Sequence, residues 1–264
     1  MKSRMNTKFL VTTAMCISIS IVLRAFSIMI TAGGVLTMRI SFGAIFYVLP
    51  GLLFGPLYGA VAGGIVDILG TIIMPMGAYI PVFTLTNILA GFLPALVWSK
   101  IKNVPIENLK KYYIIFFTSL TLVGIFNTLV IVTMNNSYLG KMLMLMGKKV
   151  QYLGVGFILS GAIGFVLLII NNIINKHNNN NNYNYVYNNF FKLVISVGIS
   201  GIIVSTINTY FILMFTPALA AKGFMILWVP RIVETLVITI INSYAISILL
   251  YSYNAIEGRI PRKI

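Results

Sequence analysis

Eight apolar stretches recur along this chain between short polar or Gly/Pro-marked breaks, and that rhythm constrains the fold more than any other feature. They cover residues 9–30, 40–54, 57–73, 82–99, 112–134, 151–173, 191–215 and 229–252. A helix needs about 20 predominantly apolar residues to cross a bilayer core. The pattern therefore predicts an all-α, polytopic membrane bundle of eight helices. The second and third stretches are short for full spans. Their junction, Phe54-Gly55-Pro56, leaves no room for a loop, so they form a tight hairpin or a broken pair, a device common where a cavity is lined.

Composition supports lipid as the solvent. Of 264 residues, 59% are hydrophobic and 9% charged, against about 25% charged in an ordinary soluble domain. A soluble enzyme is excluded, because so few charges cannot tile a water-facing surface. The net charge of +15 does not point to nucleic acid, since the basic residues lie scattered between apolar runs instead of clustering on one face.

Those basic residues set sidedness instead, because cytoplasmic loops keep Lys and Arg. Twelve of the nineteen fall on one side: Lys2, Arg4, Lys8, Lys100, Lys102, Lys110, Lys111, Lys176, Lys192, Arg259, Arg262 and Lys263. Only Lys141, Lys148, Lys149 and Lys222 fall in loops on the other. Both termini are expected in the cytoplasm. The first apolar run outlasts a signal-peptide core and carries Arg24, so it is read as a retained helix. The Asn-rich tract 171–189 reads as a disordered cytoplasmic linker. On either side of it, Asn127-Thr128 echoes Asn208-Thr209, a weak sign of a duplicated unit.

Chemistry is scarce. The chain has one Cys, Cys16, and one His, His177. These exclude disulfide frameworks, thiolate metal sites and the His-dependent intramembrane proteases. No Walker-type G-x-x-x-x-G-K-[ST] loop is present, so the chain does not hydrolyse ATP itself. No cofactor is implied. Binding and transport remain.

Of the four acids, Glu107 and Glu257 lie in loops, whereas Asp67 and Glu234 lie within apolar spans. A charge at the centre of a membrane helix costs about 2.5–3.5 kcal/mol on insertion scales. Each must therefore face protein, a partner or water. Arg24, Arg39, Asp67, Arg231 and Glu234 all map to the outer level, with Arg39 read as the start of the second helix. Two readings stay open. The acids and arginines neutralise one another in structural pairs, or they line an outward-facing pocket in which Arg holds a carboxylate or phosphate and an acid holds a nitrogen-rich ring. The segment Met74 to Phe83 has two prolines to restrict it and Tyr79 and Phe83 to offer flat faces. It is read either as an interfacial anchor or as a gate pivoting at Gly77-Ala78. Gly59-x-x-x-Gly63 predicts a close helix contact inside the chain, and Ala14-x-x-x-Ser18 repeats the pattern on the first helix.

Four stretches resemble one family. They are Arg39-Ile-Ser-Phe-Gly43; Leu53-Phe-Gly-Pro-Leu-Tyr-Gly59 continued by Gly63-Gly64-x-x-Asp67-x-x-Gly70; Pro75-x-Gly-Ala-Tyr79-x-Pro-x-Phe-Thr-Leu85 leading to Ala90-Gly91; and Asn208-Thr209 with Pro230-Arg231. The chain is similar here to the substrate-specific (S) components of energy-coupling factor (ECF) vitamin transporters, the folate type in particular, over residues 5–103 and 191–252. The resemblance implies a vitamin-capturing importer subunit in the bacterial plasma membrane, partnered by a transmembrane coupling protein and two ATPases. ATP-driven toppling of the S component then releases the vitamin inside. It implies Arg39, Asp67, Tyr79, Phe83, Asn208, Arg231 and Glu234 near the ligand, and Ala14 and Ser18 at the coupling-protein interface.

The family usually has six helices, so residues 104–190 are expected to be an inserted pair plus linker, with residues 1–103 and 191–264 forming the S-component-like core. Tyr152 and Val155 would then stand where Arg231 and Glu234 stand in the other copy. Another vitamin such as riboflavin, thiamin or pantothenate is the nearest alternative ligand. A proton-coupled secondary transporter using Asp67 or Glu234, and a structural membrane protein, are the alternative classes.

Overall fold

The computed structural model describes residues 7–32, 35–75, 79–133, 151–177, 181–216, 219 and 224–258, with backbone alone for 29–32 and 35–40 and for several residues of the later helices. Eight helices are present among them. They are α1 (Thr7–Ala25), α2 (Gly43–Phe54), α3 (Pro56–Ile73), α4 (Pro81–Ile101), α5 (Ile106–Thr133), α6 (Gln151–His177), α7 (Asn181–Phe215) and α8 (Phe224–Ile256). Among the described residues, six helices are long and apolar enough to cross a membrane. The protein is an all-α polytopic membrane protein, and its broad lipid-facing surface is populated by residues such as Met15, Leu57, Ile72, Phe126 and Val132.

Two sequence expectations are corrected. The first helix ends at Ala25, where the Phe26 and Ser27 amides turn back to the Leu23 and Arg24 carbonyls. The chain then forms an antiparallel hairpin of β1 (Ile28–Ala32) and β2 (Val35–Ile40). Arg39 therefore lies on β2, paired with Met29, and not at the start of a helix. Ala32 pairs with Val35 at the last register position of the two strands. Apolar content alone cannot separate this segment from a helix.

The Asn-rich tract is the second correction. Outside residues 178–180, which are not described, it belongs to α6 and α7. Asn is a weak helix former, but the interleaved aromatics pack. Tyr187 is buried, its hydroxyl receives Lys110 Nζ at 2.8 Å, and the Tyr185 ring lies 5.7 Å from that of Tyr251.

The α2–α3 junction has the expected form. Gly55 adopts φ 116°, which an L side chain rarely tolerates, and Pro56 opens α3. The Gly59-x-x-x-Gly63 stripe meets α4 inside the chain: a Cβ on Gly59 would lie 2.2 Å from the Gly91 carbonyl oxygen, and one on Gly63 2.2 Å from that of Asn87.

Helices α1 to α4, α7 and α8 pack in a ring, while α5 and α6 pack chiefly on each other and touch the ring through α7 and α8. One end of the ring is filled by Cys16, Ile45, Leu49, Leu52, Trp98, Leu193, Ile246 and Leu250. Beyond that core, Phe9, Phe54, Tyr58 and Tyr253 form a cluster of rings, and Lys8 pairs with Glu257. The other end is hollow.

Candidate binding site

The hollow end is a cavity of about 600 Å³, within the about 300–1,000 Å³ typical of small-molecule sites. Each helix of the ring contributes residues to it: Ser20 and Arg24 from α1, Gly43 and Tyr47 from α2, Val66 and Asp67 from α3, Phe83 and Asn87 from α4, Ser200 and Asn208 from α7, and Arg231, Glu234 and Asn242 from α8. Nothing from α5 or α6 lines it among the described residues. It extends down α8 from Arg231 to Asn242, about 16 Å at 1.5 Å per residue.

Asp67 is clamped. Arg24 Nη1 donates to its Oδ1 at 3.5 Å, and Thr84 donates to its Oδ2 at 2.7 Å. Because Thr84 spends its proton on Asp67, the Tyr79 hydroxyl donates to Thr84 Oγ1 across 2.8 Å. Arg24 also donates to the Val66 carbonyl at 3.3 Å and to Thr71 Oγ1 at 3.5 Å. Room for its guanidinium comes from Gly70, where a Cβ would sit 2.5 Å from Nη1. Arg24 and Asp67 are both buried, and pairing is what lets two charges persist there.

Arg231 and Glu234 are arranged differently. They stand three residues apart on one face of α8 and both line the cavity. The salt bridges within 4 Å among the described residues are Arg24–Asp67 and Lys8–Glu257, so Arg231 is not locked to Glu234 by contact. Phe83 sits one turn into α4, and Tyr79, half exposed, precedes that helix.

The structure thus brings Asp67, Tyr79, Phe83, Asn208, Arg231 and Glu234 to one cavity. The Arg39 side chain and the Gly77-Ala78 pivot lie outside the described residues, although β2 runs against α8 and Ser41 just beyond it lines the cavity. Sequence reading placed Arg24 at the outer level as a candidate partner of the acids but not among the ligand-binding residues, and it did not single out Thr84, Asn87 or Asn242. Arg24 carried a usable signal as a charge within an apolar span, and Asn242 as an amide in the last one. Ala14 and Ser18 lie together on an exposed strip of α1 with Val11, Met15 and Ile19. No group of three His, Cys, Asp or Glu is placed to hold a metal among the described residues.

The sequence model for the ECF transporter substrate-specific component matches residues 8–175. The chain belongs to that family. This S component is a member of a transporter family, not of an enzyme family. Over 128 residues it is 34% identical to the folate transporter FolT of Clostridium novyi (strain NT), a stretch covering 48% of this chain and 66% of that protein, just under two thirds of its length. No solved structure matches it. The family match runs through α5 and α6 and ends before α7, whereas α7 and α8 close the cavity of this S component.

Proposed function

We propose that this protein is the vitamin-binding subunit of an ECF importer in a bacterial plasma membrane, and that folate is its ligand. The observation that carries the reading is the cavity at one end of the ring, lined by Arg231 without a salt-bridge contact, by Phe83 and Tyr79 with their aromatic faces, and by amides and hydroxyls. Folate combines carboxylates, which suit a guanidinium, with a flat ring that stacks on aromatics and carries donors and acceptors. The likeness to a folate transporter points the same way.

In this reading the mouth faces outward, both termini face the cytoplasm, and the core under the cavity seals the inner side. The exposed Ala14 and Ser18 strip of α1 meets a transmembrane coupling protein driven by two ATPases. Small residues there allow close helix approach. The clamp on Asp67 favours binding over proton-coupled transport, since both carboxylate oxygens already hold donors.

The working unit comprises α1 to α4, α7 and α8. Helices α5 and α6 are a peripheral second copy of α7 and α8. Asn127 and Asn208, which head the echoed Asn-Thr pairs, both keep a buried Oδ1 without a partner. Such a copy accounts for a family match that continues into α5 and α6. Purified protein in nanodiscs should quench or copurify with a pteridine. Absence of binding to any folate, with another vitamin identified by mass spectrometry, replaces the ligand and keeps the class. Accumulation by this chain alone in proteoliposomes under a proton gradient removes the class.

A further inference from the structure

The floor of the cavity is unlike its mouth. Asn242 is 4% exposed, lines the cavity and has a buried Oδ1 with no hydrogen-bond partner. A buried acceptor left unmade is costly and is rare in a native structure. On α4, Pro94 has no N–H to give, so the Ala90 carbonyl lacks its i+4 helical donor, and both residues line the same cavity as Asn242. Two acceptors from different helices are thus presented where no charged side chain lies. The acids are elsewhere: Asp67 is occupied by Arg24 and Thr84, and Glu234 sits two turns up α8.

We infer that Asn242 Oδ1 and the Ala90 carbonyl form a neutral acceptor floor that reads the N–H donor edge of the ligand's ring. This rests on the proposed function and deepens it, because it fixes orientation: the ring enters first and its anionic tail stays at Arg231. A neutral floor is also the cheaper design. A carboxylate at that depth would carry a desolvation cost that an amide avoids. It selects heterocycles bearing an amino group beside a ring N–H, and it disfavours rings that present only acceptors there.

The test measures affinity of the full-length protein in nanodiscs for folic acid and for an analogue whose ring amino group is replaced by methyl. Asn242→Leu should weaken folic acid by about 5- to 50-fold, the scale of one buried hydrogen bond, and leave the analogue within about twofold. Pro94→Ala, which gives Ala90 a helical donor, should weaken folic acid without destabilising the fold. Equal losses for both ligands, or no loss from Asn242→Leu in a protein whose melting is unchanged, overturn the acceptor floor while the folate assignment stands. Failure of the wild type to bind either ligand overturns both.

Discussion

Arg24 on α1 and Asp67 on α3 meet inside the bundle, Nη1 to Oδ1 at 3.5 Å, with Thr84 holding the other carboxylate oxygen from α4. Three helices are thereby tied at the level where the cavity opens. The pair is structural in its contacts and functional in its place.

Breaking that pair from one side should cost more than replacing it whole. Asp67→Ala or Arg24→Ala leaves a buried charge without its partner, at about 3–5 kcal/mol. The double variant Arg24→Met with Asp67→Leu is expected to lose less than the sum. Thermal melting in detergent across the four proteins measures the coupling, and simple additivity would mean that the two side chains do not support each other.

Arg231 should behave in the opposite way. Arg231→Ala is expected to lower affinity for a folate by about 10- to 100-fold, the range of a charge-assisted hydrogen bond, with little change in melting. A pteridine without the glutamate tail should lose almost nothing. Isothermal titration with both ligands checks this, and equal loss for both would remove Arg231 from the tail.

The glycines of the α3–α4 contact supply a graded test of packing. A Cβ on Gly91 would lie 1.9 Å from the Gly59 carbonyl oxygen, whereas one on Gly198 meets Thr239 Cγ2 at an ordinary 3.5 Å. Gly91→Ala is therefore expected to cost about 3 kcal/mol, the upper end for overpacking, and Gly198→Ala close to nothing. Gly70→Ala should cost as much as Gly91→Ala or more, because a Cβ there would push the buried Arg24 guanidinium off Asp67. Melting temperatures rank the three.

Cys16 offers a built-in reporter. It is 6% exposed in the apolar core under the cavity and is the chain's single cysteine. A thiol reagent should label it slowly in the native protein and fast after denaturation. Rapid labelling of folded protein, followed by gel shift, would show that this core opens.

Much of the architecture was legible in the apolar runs, since a segment that must satisfy its own backbone in lipid has few choices besides a helix. Where other solutions existed the reading went astray. Residues 28–40 are as apolar as a span, yet β1 and β2 pair as antiparallel strands. The Asn-rich tract looked disordered because composition does not reveal that Tyr185 and Tyr187 find partners on α8 and α5. Among the site residues, the charges announced themselves by their cost, whereas Asn242 and Thr84 are inexpensive enough in sequence to pass unnoticed.

What the sequence by itself determined is a multi-pass α-helical protein whose scarce charges had to be accommodated at one level. Only the tertiary structure decided which charge answered which: Arg24 took Asp67, and Arg231 stayed near Glu234 without a salt-bridge contact. The reason is physical. Hydropathy is a property of each segment, but the pairing of a buried charge depends on which helices lie side by side, and here a glycine at position 70 made the space that brought Arg24 to Asp67.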